Sequence, residues 1–134
     1  MTARSDHQDV IAALQAALRE FARERDWERY HTPRNLAALI ASEAGELLAH
    51  FRWDQDALAD RPDAVAQEIA DVLIGVLRFA DVAGIDLEQA VRAKLRLNAS
   101  KYPPGRSSPV PEDRDNVAPS EDDDRRGRPG PFSR

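Results

Sequence analysis

Two short patterns put acids three residues apart: SEAGE (Ser42 to Glu46) holds Glu43 and Glu46, and EIAD (Glu68 to Asp71) holds Glu68 and Asp71. Both lie in sequence with helical spacing. At about 100° per residue, the apolar arc Leu36, Leu39, Ile40, Leu47 and Phe51 places Glu43 inside the arc and Glu46 at one margin. The arc Val65, Ile69, Val72, Leu73 and Val76 places Glu68 near its edge and Asp71 further round. The acids thus share one rotational flank in both segments. Antiparallel neighbours related by a two-fold axis turn equal flanks to the same side, so four carboxylates are expected to converge. Ionised carboxylates at the rim of a core cost desolvation and mutual repulsion unless protons or cations compensate. An oxygen-preferring divalent cation is the natural partner. Mg²⁺ suits best, because it takes a few carboxylates and leaves its other positions to waters and substrate phosphates; Mn²⁺ can stand in. The alternative is two amphipathic helices with solvated acid margins, and the position of Glu43 among the apolar residues weighs against it.

The elements that must position these acids read as four helices. Val10, Ile11, Leu14, Leu18 and Phe21 give a first amphipathic helix over about residues 6–25. Thr32 before Pro33 is an N-cap followed by a residue preorganised for the first helical position, opening a second helix to about Arg52. WDQDALADRP reads as a connection with one short helical turn around Ala57 to Ala59. Pro62 starts a third helix that stops at Gly84, a residue type suited to a left-handed C′ position, and its aliphatic content predicts the most buried element. Asp86 with Gln89 resembles a capping box and opens the fourth, LEQAVRAKLRLNASKY. No alternating β pattern competes, so the fold class is all-α, a four-helix bundle.

The chain of 134 residues allows one domain, over residues 1–102. From residue 103 on, seven of the nine prolines fall in a charged stretch with few large apolar side chains. Such a stretch cannot offset its ordering entropy, which predicts a disordered tail over 103–134. The ordered part is small for this much aliphatic surface, so a homo-oligomer, dimer or tetramer, is expected, with the second and third helices involved.

Composition closes off several function classes. With no cysteine, thiolate metal sites and cysteine nucleophiles are excluded. A net charge of −5 disfavours binding to duplex nucleic acid. The N-terminal sequence is polar and no apolar run reaches spanning length, so a soluble, cytoplasmic protein without membrane partners is expected. There is no Gly-rich phosphate loop and no serine–histidine–acid arrangement. Glu28 and His31 form a Glu-x-x-His pair, but di-iron bundles need two such pairs on core-facing helices.

In order along the chain, RDWERYHTPRNLAALIASEAGELLAHFRW, EIADVLIGVLRFADVAGIDLEQAV and KLRLNASKYP resemble the MazG-like, all-α nucleoside triphosphate pyrophosphohydrolases, and within them the dCTP-pyrophosphatase-like branch. The resemblance runs from about Leu14 to Pro103. It implies that Glu43, Glu46, Glu68 and Asp71 bind Mg²⁺ and that a nucleoside triphosphate is cleaved to monophosphate and pyrophosphate. It puts Lys94, Asn98, Lys101 and Tyr102 near the substrate, and makes Trp27 and Trp53 walls of a pocket for the base. Some relatives carry a second acid before the first motif glutamate, where this chain has Ser42, which leaves open how many metals bind.

Phosphoanhydride hydrolysis needs charge neutralisation, an in-line water and a group to orient or deprotonate it. Glu46, at the arc margin, is the candidate base. His31 before the N-cap offers a hydrogen bond to base or phosphate, or serves as a structural turn residue. Helix two separates the tryptophans by roughly 30 Å at 1.5 Å per residue, so both line one pocket only if the chain folds back or a neighbouring subunit contributes one. The expected function is Mg²⁺-dependent hydrolysis of a dCTP-like or modified pyrimidine nucleotide in nucleotide-pool house-cleaning. The alternative is a catalytically silent, self-associating helical module that binds a partner protein.

Overall fold

The computed structural model describes residues 8–105, and among them all regular structure is helical. The elements are α1 (Gln8–Glu24), a 3₁₀ turn (Glu28–Tyr30), α2 (Pro33–Phe51), α3 (Ala57–Asp60), α4 (Pro62–Ala83) and α5 (Leu87–Lys101). The four long helices fall where periodicity and caps put them. The short turn expected near Ala57 stands as a separate helix, α3. The expected tail lies outside the described residues from position 106 on. The chain divides into two units between Arg92 and Ala93, within α5.

Local chemistry sets the helix ends. The amide of Asn35 donates to Thr32 Oγ1 at 3.2 Å, capping α2 behind Pro33. Gly84 takes the left-handed conformation (φ 67°), which lets the amide of Ile85 reach back to the Ala80 carbonyl at 2.9 Å and close α4. Asp86 Oδ1 accepts from the Gln89 amide at 3.0 Å, as the capping-box spacing predicts. Asp26 ends α1 in the same way as Gly84 ends α4: its φ of 55° is one that aspartate tolerates, and the amide of Trp27 returns to the Ala22 carbonyl at 2.9 Å.

The chief packing within the first unit is α2 on α4, with α1 and α3 also against α4. Gly75 meets Ile40, whereas further along α2 His50 meets Glu68 and Arg61, so α2 and α4 run antiparallel. Leu36, Val65, Leu77 and Ala80 are buried here, and α4 carries the most buried residues of any helix, as expected. The close approach depends on Gly75, because a Cβ built there would stand 2.9 Å from Ile40 Cγ1. Gly75→Ala is therefore expected to destabilise the fold by about 1–3 kcal/mol, the usual range for overpacking, despite the higher helix propensity of alanine. Chemical denaturation measures this, and a more stable variant would show that Ile40 yields freely.

Candidate metal centre

Glu43 on α2 and Glu68 and Asp71 on α4 each bring a carboxylate oxygen into one group, all within 4.8 Å of one another. The angular reading of the two helices thus holds for three of the four acids. Glu43 and Glu68 are half-buried and Asp71 is exposed. Glu43 Oε2 and Glu68 Oε2 are closed off from solvent and, among the described residues, have no hydrogen-bond partner. A buried carboxylate oxygen that has lost its hydration without a replacement is costly, and such atoms are rarely left alone. Two of them beside a third carboxylate make a hard-oxygen donor set that suits a divalent cation.

Electrostatics agree with the geometry. Burial holds the Glu43 carboxyl above the ordinary carboxylate range, and the charges of Glu46, Asp71 and Glu68 push it the same way. Glu46 itself is exposed and stands outside the close trio, although its charge acts on Glu43.

One contributor was missed in the sequence reading. Glu68 Oε1 accepts from His50 Nε2 at 3.3 Å, while Oε2 is the oxygen left without a partner among the described residues. His50 is held in the last turn of α2, where its carbonyl accepts from Arg61 Nη2 at 3.0 Å. The available signal was spacing: His50 follows Glu43 by seven residues and so shares its helical face. His50→Ala is expected to weaken cation affinity by about 10- to 100-fold, the usual cost of losing a group that orients a ligand. A metal titration checks this, and unchanged affinity would show that Glu68 needs no such support.

Next to the acids lies an apolar cavity of about 330 Å³ whose wall includes Leu18, Phe21, Trp27, His31, Ile74 and Arg78. Leu39 lines it too, and Leu39 and Ile74 stand four and three residues from Glu43 and Asp71 on their own helices. On both α2 and α4 the wall therefore begins about one helical turn, some 5 Å along the axis, from an acid-bearing position. Phe21 and Trp27 meet edge to face with centroids 5.7 Å apart. Trp53 does not line this cavity and is 92% exposed, so within this chain the two tryptophans are not brought together. Lys94, Asn98, Lys101 and Tyr102 belong to the second unit, where the Lys101 ammonium lies 5.4 Å from the centre of the Tyr102 ring.

This geometry can be set beside known proteins. A model of the MazG-like family matches residues 39–112, more than half of the chain, and the chain belongs to that family. The all-α fold and the branch implied by the RDW, HTPRN and NASKYP motifs are thereby borne out. Its relatives include dCTP pyrophosphatase 1 of Rattus norvegicus, 42% identical over 91 residues that make up 63% of this chain and 54% of that protein. The Homo sapiens dCTP pyrophosphatase 1 is 41% identical over the same length. A dATP/dGTP diphosphohydrolase of Cyanophage S-2L is 34% identical over 92 residues, 69% of this chain and 76% of that protein. The chain spans about half the length of the dCTP pyrophosphatases it matches. Among solved structures, a pyrophosphatase from Archaeoglobus fulgidus superposes with a TM-score of 0.68 at 40% identity, covering 77% of this chain and 98% of that one.

Proposed function

We propose that this chain is a Mg²⁺-dependent nucleotide pyrophosphohydrolase that cleaves a nucleoside triphosphate to monophosphate and pyrophosphate. The observation that carries the reading is the convergence of Glu43, Glu68 and Asp71 with two buried oxygens left without donors. Glu43, Glu68 and Asp71 would hold the cation, which when bound supplies charge neutralisation at the phosphates and a more acidic water. His50 orients Glu68. Glu46, exposed and adjoining Glu43, orients or deprotonates the water. The cavity one turn away takes the base against Trp27, in stacking worth about 1–3 kcal/mol. The contribution of Lys94, Asn98, Lys101 and Tyr102 to substrate binding, and that of Trp53, rest on the family resemblance.

The proposed substrate is a dCTP-like or modified pyrimidine deoxynucleotide, and the proposed role is house-cleaning of the nucleotide pool in the cytoplasm; Mn²⁺ is expected to substitute for Mg²⁺. We also propose a homo-oligomer, dimer or tetramer. Leu48 (63% exposed), Ile69 (52%) and Leu73 (48%) leave apolar surface on α2 and α4, and Leu36 is the one large side chain fully buried among the described residues. No helix among the described residues is long and apolar enough to cross a membrane.

The test is product analysis over a panel of NTPs and dNTPs, with and without Mg²⁺. Release of pyrophosphate rather than orthophosphate, dependent on the metal and strongest with a cytosine-like base, is the expected result. No turnover of any member would instead favour a silent, self-associating module.

A further inference from the structure

We infer that Arg61 is a positioning residue for the acid cluster: by gripping the backbone of His50 it keeps that imidazole against Glu68, and so fixes a carboxylate that α4 offers to the cation. This rests on the metal reading above and concerns a residue outside the four acids. His50 is held at two places. Its carbonyl accepts from Arg61 Nη2 at 3.0 Å, and its Nε2 donates to Glu68 Oε1 at 3.3 Å. Arg61 is the N-cap residue of α4, and Glu68 follows it by seven residues, two turns and about 10 Å along the same helical face. The two bonds therefore span His50 from main chain to ring, and they close a loop of contacts between the end of α2 and the start of α4.

The remaining contact of the Arg61 side chain among the described residues does not account for it. Its ion pair with Asp54 Oδ2 at 3.2 Å is partly exposed, 46% and 32% for the two side chains, and such pairs add little stability. The bond to His50 differs in kind, because the carbonyls in the last turn of a helix have no partner within it, and a guanidinium there also meets the negative end of the α2 dipole. The connection between α2 and α4 is built to aim this side chain. The Arg61 amide donates to the Ala57 carbonyl at 2.8 Å, and Ala57 is wholly buried, which anchors the root of the arginine. Asp54, which accepts from the same Nη2, is itself fixed, since its Oδ1 accepts from the Asp56 amide at 3.0 Å. The side chains of His50 and Glu68 are only 20% and 19% exposed, so a shift at the end of α2 passes to the carboxylate and is not taken up by water.

Two readouts on the full chain test this, one of them without metal. In ¹⁵N-histidine-labelled, chelator-stripped protein, with His50→Ala assigning the signal among the three histidines, the native chain should show the Nε2–H of His50. Arg61→Met, or Arg61→Gln should the first not fold, should lose that signal to exchange with water. An unchanged signal in the folded variant, or none in the native chain, would overturn the proposal. The second readout is Mn²⁺ affinity. Arg61→Met should weaken it by about tenfold, at the low end for groups that orient a ligand, whereas the destabilising control Asp86→Ala, which removes the α5 cap, should leave it unchanged. Because Arg61 acts through His50, adding Arg61→Met to His50→Ala should leave the affinity within about twofold of His50→Ala alone. A double variant that loses the product of the two single effects, or an Arg61→Met that loses no more than Asp86→Ala does, contradicts the proposal. If the native chain captures no Mn²⁺, the metal reading fails alone, and the metal-free signal still decides whether Arg61 sets the pair of His50 and Glu68.

Discussion

Glu43→Gln and Asp71→Asn are each expected to cut pyrophosphate release by about 10³-fold or more while leaving helicity by circular dichroism unchanged. A carboxylate-held cation supplies several kcal/mol of transition-state stabilisation, and each 1.36 kcal/mol is tenfold in rate, so losing the cation removes about three decades or more. The stability of the metal-free protein should move the opposite way for Glu43→Gln. Glu43 is held by burial and by three neighbouring acids in a state that disfavours its charge, and the neutral amide relieves both the desolvation and the repulsion. Without metal the variant should therefore unfold at a higher temperature than the native chain. An acid kept for structural reasons would give the reverse, retained hydrolysis with a less stable fold, and that result would remove Glu43 from the site.

The second large effect is stabilisation by the cation itself. A ligand that binds only the folded state adds about 2.7 kcal/mol at one hundred times its Kd. For a domain of this size each kcal/mol raises the melting temperature by about 4–8 °C, so saturating Mg²⁺ should raise it by about 10–20 °C. The shift should vanish in Glu43→Gln, because the orphaned Oε2 that the cation would satisfy is gone. A shift of the same size in the variant would show that the ion binds elsewhere.

The parts of this molecule that were legible in its sequence are those decided within one helix. Thr32 with Pro33, Gly84, and Asp86 with Gln89 each act over a few residues, and each cap lies where its spacing put it. The angular position of Glu43 and Glu68 likewise depends on one helix at a time, and both came out half-buried on a shared flank. Angles alone could not decide whether Glu46 joins the others, because a residue at an arc margin can turn its carboxylate either way; it lies outside the trio. What crosses between elements was hidden. The contact of Arg78 with His31 spans 47 positions and that of Arg19 with Asp81 spans 62. Nothing in the local pattern marks an arginine inside an apolar helix as the partner of a distant histidine. The two tryptophans part company for the same reason: Trp27 lines the cavity where the chain turns back onto α1 at Asp26, whereas Trp53, beyond the far end of α2, stands in solvent.

The most direct measurement titrates Mn²⁺ into chelator-stripped protein and follows the free-ion signal by electron paramagnetic resonance. The native chain should remove the ion saturably and release it when Mg²⁺ is added, and Glu43→Gln, Glu68→Gln and Asp71→Asn should each weaken that capture at least tenfold. A native chain that leaves the free-ion signal untouched, or variants that capture the ion as well as the native chain does, would contradict the claim that α2 and α4 together build a cation site.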